Sequence, residues 1–446
     1  MPSFELNLHA ILAPYQRNIP TRCMLVSQAA LQKTTATLRE HLPPGRWFLV
    51  ADQNTWPLAG PILQAQFEAA GIDCGTHIFA AGPTPSFAKV DELQTQLQGA
   101  SALIAIGAGT LNDIAKMAAH RTAMPYAVVA TAPSMNGYTS AVAALLEEGV
   151  KTTSPCTAPI AIIADIDLLA QAPYRMLAAG LGDLLSKPVS QADWLLAHHL
   201  TGAPYSQQAA ELIEASAALL CDVPAHLPAR SPHAVGHLMG SLLLSGLAMT
   251  LAGTSAPSSG GEHLISHYLD MTHYAFGEAN DLHGCQVGVA TLTTAALYEK
   301  LSTFDPAAID VGACAAAHKT WEAHSAVLEQ RFTALASAVK PHAKEKYPTT
   351  SQLRQRLRFL KENWREIIPL VTAPLDTTAQ IRAQLAAARA PTTFTAVGAT
   401  PPRARRAITH SKDIRARYTI LHLLAELGLL EEWSEEVLRE QNLLGA

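Results

Sequence analysis

The sequence predicts an α/β amino-terminal domain with a parallel sheet, followed by an all-α carboxyl-terminal domain. Three observations support this fold class. Short apolar runs alternate with amphipathic stretches over about residues 22–170, and alanine- and leucine-rich segments with helical period dominate beyond residue 173. The length of 446 residues also exceeds what one hydrophobic core usually holds. We therefore predict two domains, residues 1–172 and residues 173–446.

The first domain is predicted to alternate strands with helices. Its strand patterns are continuously apolar, which is typical of a parallel sheet covered on both faces. Residues 140–153 interrupt the alternation, and two short strand patterns on either side of Glu148 and Gly149 predict a hairpin. The other predicted strands are 47–51, 77–80, 103–106, 126–130 and 159–165, and the predicted helices are 58–70, 86–97 and 111–121.

The second domain is predicted to be helical because its apolar residues recur with helical spacing. No stretch is expected to reach about 18 consecutive uncharged apolar residues, so no membrane-spanning segment is predicted. The clearest helical patterns are 207–221, 234–252, 287–300, 352–364 and 418–427.

Composition and charge narrow the classes of function. A hydrophobic fraction of 49% and a charged fraction of 15% suit a folded, soluble protein. The net charge of −5 and the lack of a basic stripe argue against a nucleic-acid partner. Six dispersed cysteines without a CxxC pair favour a reducing compartment. The first residues show no basic segment followed by an apolar run, so we expect a cytoplasmic protein.

A glycine-rich turn after the predicted strand 103–106 is a candidate phosphate cradle. Gly107, Gly109 and Thr110 stand where the next helix opens, and the first amides of a helix carry partial positive charge. Position 112 is Asn, so the turn does not match the GxGxxG fingerprint. A simple tight turn is the alternative interpretation.

Polar side chains also follow two other predicted strands. Thr131 and Ser134 would offer hydroxyl groups at the sheet edge where ligands of such folds bind. Asp52 could accept a hydrogen bond from a ribose 2′-hydroxyl and would repel a 2′-phosphate, which favours NADH over NADPH. A helix cap is the alternative role for Asp52.

Histidines and one acidic residue suggest a metal site. His263 and His267 stand four residues apart and would share one face of a helix, and His283 follows. Asp183 lies among apolar residues, where an unpaired charge would be costly. A carboxylate with two imidazoles leaves a catalytic metal an open position for substrate. For any single one of the 18 histidines, a surface or satisfied core position is the alternative.

Six segments, in chain order, carry a resemblance to a known family: 106–116, 131–138, 179–185, 259–267, 282–284 and 411–420. They resemble the sn-glycerol-1-phosphate dehydrogenases, in particular their bacterial branch. That family belongs to a superfamily with the iron-containing alcohol dehydrogenases, glycerol dehydrogenase and 3-dehydroquinate synthase. The resemblance implies a dehydroquinate synthase-like architecture, with a Rossmann-like amino-terminal domain and an active site in the cleft between the two domains.

The resemblance also implies roles for individual residues. Asp183, His263 and His283 would hold one divalent metal, with zinc favoured and nickel and iron as alternatives. His267 and Asp183 would be the catalytic residues, and Asn136 would join them in binding substrate. The NAD(P)H cofactor would lie along a further set of residues: Gly107, Gly109, Thr110, Asp113, Thr131, Ser134 and Ser140.

The implied reaction is hydride transfer between NAD(P)H and a small polyol or ketone, with dihydroxyacetone phosphate reduced to sn-glycerol 1-phosphate. A 3-dehydroquinate synthase-like cyclase, a dehydrogenase for a non-phosphorylated polyol, and a binding protein without turnover are the alternatives. The implied partner is a small-molecule substrate, with no nucleic acid and no membrane. The resemblance further implies a homo-oligomer.

Five positions depart from the family pattern. Asn136 stands where the family usually has Asp, Ala256 where it has Arg, and Cys285 where it has Glu. Ser186 and Pro188 change the Gly-Lys-Tyr that usually follows the aspartate. Because a guanidinium binds phosphate through bidentate, charge-assisted bonds, the change at position 256 bears directly on a phosphorylated substrate.

Overall fold

The computed structural model of the protein describes residues 4–147 and 150–445. The turn predicted at Glu148 and Gly149 lies outside the described residues, as do the first three residues. The chain divides into two compact units, the first comprising Met1–Leu184 and Gln208–Thr254, the second Leu185–Gln207 and Ser255–Ala446. Residues 208–254 thus group with the first unit, and the boundary after residue 172 stays a prediction.

The described residues contain nine strands: β1 (Glu5–Leu6), β2 (Cys23–Ser27), β3 (Arg46–Asp52), β4 (Cys74–Phe79), β5 (Ala100–Gly107), β6 (Tyr126–Ala130), β7 (Val142–Glu147), β8 (Val150–Pro155) and β9 (Ala161–Asp165). Seven of them form one sheet in the order β1-β2-β9-β6-β5-β3-β4. Every neighbouring pair is parallel except β1 with β2. Strands β7 and β8 form a separate antiparallel hairpin.

Helices cover this sheet and make up most of the remaining chain. Those of the first unit are α1 (His9–Leu12), α2 (Ala30–His41), α3 (Trp56–Ala69), α4 (Phe87–Gln96), α5 (Gly109–Arg121), α6 (Ile166–Leu169), α7 (Tyr174–Leu185), α9 (Gln207–Ala218), α10 (Val223–His226) and α11 (Pro232–Ala252). Those of the second unit are α8 (Lys187–Thr201), α12 (Gly261–Phe276), α13 (His283–Ser302), α14 (Val311–Ala317), α15 (Trp321–Phe332), α16 (Ala336–Lys346), α17 (Thr350–Glu362), α18 (Trp364–Thr372), α19 (Thr378–Ala387), α20 (Pro401–His410), α21 (Ile420–Glu426) and α22 (Leu430–Glu440).

The core of the first unit confirms the predicted α/β class. All five residues of β6 and all five of β9 are buried, as expected for parallel strands covered on both faces. One apolar cluster joins side chains of the sheet, such as Leu49 and Ile104, to Phe67 of α3. The all-helical second unit confirms the other half of the prediction.

Helix α11 corrects the sequence-based statement about long apolar stretches. It has 21 residues and is apolar enough to cross a membrane by length and composition, so the expectation that no such stretch exists was wrong. Of its most apolar 18-residue window, 83% is buried inside the protein. A helix that is apolar on all sides is also what the centre of a large core requires.

Candidate functional site

The glycine turn lies between β5 and α5. Strand β5 ends at Gly107, and α5 begins at Gly109. Because β5 and β6 are neighbours, Gly107 pairs with Ala130, and the N–H of Thr131 donates to the Gly107 carbonyl oxygen at 3.2 Å. The turn and Thr131 therefore lie together at the carboxyl edge of the sheet, where α/β folds bind their ligands.

The two glycines of the turn meet different requirements. A Cβ added at Gly107 would lie 2.6 Å from Leu111 Cβ, so glycine is needed there for α5 to pack against β5. A Cβ at Gly109 would meet only the Met135 side chain, at 3.5 Å, which is ordinary contact. The protein's own packing thus does not demand glycine at 109. The residue before α5 is Ala108, whose side chain cannot cap the helix, so the start of α5 fits a phosphate group.

Asp113 and Ser140 hold the segment that follows β6. Asp113 Oδ2 accepts the N–H of Ala144 at 3.1 Å, and Ser140 Oγ donates to the Gly137 carbonyl oxygen at 3.0 Å. Ser140 is buried, whereas Thr110 in the first turn of α5 is partly exposed. Asp113 and Ser140 therefore stabilise the segment after β6 through hydrogen bonds within the protein.

Lys116 is a functional candidate that the sequence analysis did not identify. Its side chain is fully buried on α5, and Nζ donates to the carbonyl oxygens of Gly137 at 2.6 Å and Val142 at 3.0 Å. Nζ also lies 3.8 Å from the Asp113 carboxylate. A lysine within an apolar helix face was the available signal, because a buried ammonium group must be paired.

Asp52 is buried at the end of β3 and accepts hydrogen bonds from the protein. Oδ1 accepts from the N–H groups of Asn54 and Thr55 and from the Thr55 hydroxyl, at 2.8–3.0 Å. Oδ2 accepts the N–H of Gly82 at 3.3 Å. These bonds form the turn before α3, whose N-cap residue is Thr55, so Asp52 stabilises the turn and does not cap the helix. The contact with ribose stays a prediction.

Asp183 is buried on α7, and its orientation follows from close packing. A Cβ at Gly180, one turn earlier, would overlap the Pro133 carbonyl oxygen, so glycine allows α7 to approach the segment after β6. Asp183 Oδ2 accepts the N–H of Asn136 at 3.0 Å. The Asn136 side chain donates to Ser245 Oγ at 3.0 Å and is buried. Asn136 thus positions Asp183 through its backbone.

Three of the predicted histidines cluster in the second unit. His263 and His267 lie on α12, and His283 is the first residue of α13. Their ring centroids are 5.2 Å apart for His263 and His283, 5.2 Å for His267 and His283, and 6.2 Å for His263 and His267. Asp183 belongs to the first unit.

Hydrogen bonds indicate which nitrogen of two of these rings carries the proton. His263 Nδ1 lies 2.8 Å from Glu262 Oε1, and an ionised carboxylate can only accept, so Nδ1 donates. His283 Nδ1 lies 2.9 Å from Ser266 Oγ, whose own proton goes to Gln286 Oε1 at 2.8 Å. In each neutral ring the lone pair is therefore on Nε2, the atom that can bind a metal.

The spacing of these two rings fits one tetrahedral ion. With a metal-to-nitrogen distance of about 2.1 Å, an imidazole centroid lies about 3.2 Å from zinc, and two such rings at a tetrahedral angle are about 5.2 Å apart. The centroids of His263 and His283 are 5.2 Å apart, and so are those of His267 and His283, so the hydrogen bonds to Nδ1 and not the spacing single out the first pair. The donor chemistry and the spacing thus fit a divalent cation.

A second set of possible metal ligands lies in the same unit. Ligand atoms of His267, Asp270 and His283 all lie within 4.8 Å of one another. Asp270 is buried one turn after His267 on α12 and was not a candidate from the sequence. This group shares His283 with the pair of His263 and His283, and it adds Asp270 and His267.

Two carboxylates bind the amino terminus of α12. Glu262 Oε1 accepts the Gly260 N–H at 2.8 Å and the Ser190 hydroxyl at 2.7 Å. Asp193 Oδ2 accepts the Gly261 N–H at 2.6 Å. Burial, then the nearby Glu262 charge, raises the pKa of Asp193 to about 7. Burial also opposes ionisation of Glu262, but the hydrogen bonds that it accepts from His263, Gly260 and Ser190 hold the Glu262 pKa below its usual value.

The loop before α12 contains Ala256, where the family pattern has Arg. A guanidinium nevertheless reaches this loop, because Arg417 donates to Ser255 Oγ at 2.6 Å and to the Ser259 carbonyl oxygen. Lys187 Nζ donates to the Ser258 carbonyl oxygen at 3.0 Å. Burial lowers the pKa of Arg417 to about 10, which leaves it charged at neutral pH. The sequence alone could not place residue 417 beside residue 256.

Several known proteins are similar to this chain in sequence or in fold. The model of the iron-containing alcohol dehydrogenase family matches residues 25–173. A glycerol-1-phosphate dehydrogenase (NAD(P)+) of Bacillus velezensis is 34% identical over 259 residues, which are 57% of this chain and 66% of that protein. This chain thus spans just under two thirds of that relative's length.

A second relative and a solved structure extend the similarity. The glycerol-1-phosphate dehydrogenase (NAD(P)+) of Methanosarcina barkeri is 30% identical over 337 residues, covering 73% of this chain and 93% of that protein. The crystal structure of glycerol dehydrogenase from Schizosaccharomyces pombe superposes with a TM-score of 0.61 at 15% identity, over 93% of this chain and 90% of that one. At that identity the superposition concerns the fold alone.

Proposed function

Because the chain belongs to the glycerol-1-phosphate dehydrogenase family, we propose that it reduces dihydroxyacetone phosphate to sn-glycerol 1-phosphate with NAD(P)H and one divalent metal. One observation carries the proposal. The rings of His263 and His283 are 5.2 Å apart, and in each ring Nδ1 donates a hydrogen bond, which leaves the lone pair on Nε2. This is the arrangement of a pair of metal-ligating imidazoles.

The proposed metal ligands are Asp183 of the first unit and His263 and His283 of the second. Zinc is favoured, and nickel and iron are the alternatives. When bound, the cation supplies polarisation of the substrate carbonyl, and the nicotinamide supplies a hydride. The chain's own part is to hold the three ligands in place: the Asn136 N–H fixes Asp183, and Glu262 fixes His263.

The same proposal assigns the substrate and proton-transfer roles. His267 lies one helical turn beyond His263, and a ring nitrogen of His267 delivers the proton to the substrate oxygen. Asn136 and Asp183 border the substrate on the side of the first unit. A neutral amide at 136 offers hydrogen bonds without a charge.

The dinucleotide is proposed to lie on the carboxyl edge of the parallel sheet. Its phosphates bind the first turn of α5, where Gly109 leaves room and Thr110 offers a hydroxyl. Thr131 and Ser134 line the same edge. Asp52, Asp113 and Ser140 also lie along the cofactor in this proposal, and their hydrogen bonds stabilise the turns next to it.

The test is cofactor oxidation by protein that has been stripped of metal and reloaded with Zn²⁺, Ni²⁺ or Fe²⁺. We expect dihydroxyacetone phosphate to drive steady oxidation of NADH or NADPH, with sn-glycerol 1-phosphate as the product. No oxidation with any of these metals would overturn the proposal. A 3-dehydroquinate synthase-like cyclase would return its cofactor unchanged, so steady oxidation also excludes that alternative.

A dehydrogenase for a non-phosphorylated polyol is the second candidate, and Ala256 is the observation that favours it. Dihydroxyacetone in the same assay decides between the two. A higher kcat/KM for dihydroxyacetone than for its phosphate would establish the second candidate.

The proposal also covers the cellular compartment, the oligomeric state and the partners. We place the protein in the cytoplasm as a homo-oligomer that acts on a small molecule, without a nucleic-acid or membrane partner. The net charge of −5 and the buried state of α11 support this assignment. Analytical ultracentrifugation of the detergent-free protein would show a single oligomer.

A further inference from the structure

Glu262 is a fully buried carboxylate beside a proposed metal ligand. It lies in the first turn of α12, directly before His263. Its Oε1 atom accepts three hydrogen bonds, from Ser190 Oγ at 2.7 Å, from the Gly260 N–H at 2.8 Å and from His263 Nδ1 at 2.8 Å. The Gly260 N–H holds the carboxylate from the backbone, the Ser190 hydroxyl adds a bond from a neutral side chain, and the bond from His263 Nδ1 joins the carboxylate to the imidazole.

Neighbouring positive groups stabilise the negative charge of the buried Glu262 carboxylate. The start of α12 carries the partial positive charge of a helix amino terminus, and the Gly260 N–H points at the carboxylate. Arg417 interacts electrostatically with both Glu262 and Asp193. Asp193 is itself held by the Gly261 N–H, by the Tyr298 hydroxyl at 2.6 Å and by the Ile420 N–H at 2.7 Å.

The second proposed imidazole has a different partner. His283 Nδ1 donates to a neutral hydroxyl, that of Ser266, which Gln286 orients in turn. A carboxylate partner makes an imidazole a stronger electron donor than a hydroxyl partner does. The two proposed ligand histidines therefore differ in their hydrogen-bond acceptor. His263 has a carboxylate, and His283 has a hydroxyl.

We propose that Glu262 is a positioning residue that sets the cation affinity of the site by fixing the tautomer and orientation of His263 and raising the basicity of its Nε2 atom. The inference rests on the proposed function, because it takes His263 to be a metal ligand. Outer partners of this kind typically change metal affinity by about 10- to 100-fold.

The test measures Zn²⁺ affinity of the metal-free, full-length protein by competition with a chromophoric chelator. Glu262→Gln keeps one acceptor oxygen and replaces the charged carboxylate with a neutral amide, so we expect about 10-fold weaker Zn²⁺ binding. Ser190→Ala is the matched control, since it removes another hydrogen bond to the same oxygen without touching His263. It should bind Zn²⁺ within about twofold of the wild type.

Two further measurements keep the outcome decisive. Glu262→Asp retains the charge but is one methylene shorter, so it should lose the bond to Nδ1 and also bind about 10-fold more weakly; it carries the test if the Gln variant does not fold. The visible spectrum of the Co²⁺-loaded protein should shift in the Glu262 variants and stay unchanged in Ser190→Ala.

The outcomes separate this inference from the function on which it rests. Wild-type Zn²⁺ affinity and an unchanged Co²⁺ spectrum in the Glu262 variants would overturn the inference, provided that His263→Ala loses the ion. If His263→Ala itself retains wild-type affinity, the proposed metal site is wrong and the role of Glu262 falls with it.

Discussion

Replacing Gly180 with Ala tests how the chain positions the Asp183 carboxylate. A Cβ at position 180 would stand about 1 Å closer to the Pro133 carbonyl oxygen than real Cβ atoms do. The obstacle is backbone, so α7 must move away from the segment after β6 by about that distance. The hydrogen bond from the Asn136 N–H to Asp183 Oδ2, now 3.0 Å, would stretch to about 4 Å and be lost.

The size of the effect follows from that lost bond. A hydrogen bond to a charged group contributes about 1.5–3 kcal/mol, which corresponds to about 10- to 100-fold in an equilibrium constant. We expect Gly180→Ala to bind Zn²⁺ more weakly by this factor and to lose kcat/KM in proportion. Overpacking should also cost about 1–3 kcal/mol of stability, which lowers Tm by several degrees.

The matched control is Gly236→Ala, in α11 of the same unit. A Cβ there would meet side chains only, Phe4 at 2.5 Å and Ile166 at 3.0 Å. This variant should lower Tm in thermal unfolding while leaving Zn²⁺ affinity unchanged. Wild-type Zn²⁺ affinity and activity in Gly180→Ala would refute the account of how Asp183 is positioned.

Three other substitutions have distinct expected outcomes. Asn136→Asp would restore the residue that the family usually has, at the buried position that now contacts Ser245 Oγ, so kcat/KM for dihydroxyacetone phosphate should rise; no gain would mean that the departure at 136 is neutral or compensated. Gly109→Val should raise the KM for NADH about 10-fold with little change in Tm, because the side chain would occupy the proposed phosphate position; an unchanged KM would contradict that position. Arg417→Met removes the buried cation that interacts with Glu262 and Asp193, so kcat/KM should fall about 10-fold for dihydroxyacetone phosphate and for dihydroxyacetone alike; a loss confined to the phosphorylated substrate would indicate that Arg417 recognises the phosphate instead.

The sequence predicts those parts of the fold that depend on local pattern. Strand β6 has the bounds predicted from its apolar run, Tyr126–Ala130, and the hairpin of β7 and β8 appears where the alternation breaks. The glycine turn was identifiable because the residues around Gly107 occupy a single strand-to-helix connection. In these places the information lies within about ten residues of chain.

The remaining features depend on contacts between distant residues. Asp193 joins the starts of α12 and α21 to Tyr298 of α13, and no local pattern marks an aspartate in α8 for that role. Arg417 reaches a loop that precedes it by about 160 residues. Helix α11 was missed for a different reason, because Ser241, Ser245 and Thr250 interrupt its run of apolar residues although its mean hydropathy reaches 1.5.

The metal content of four variants tests the central claim most directly. Purified wild-type protein should contain one divalent ion per chain, and Asp183→Asn, His263→Ala and His283→Ala should each lose it while remaining folded. Asp270→Asn should keep the ion, because Asp270 belongs only to the competing group with His267 and His283. Loss of the ion in Asp270→Asn together with its retention in Asp183→Asn or His263→Ala would contradict the account.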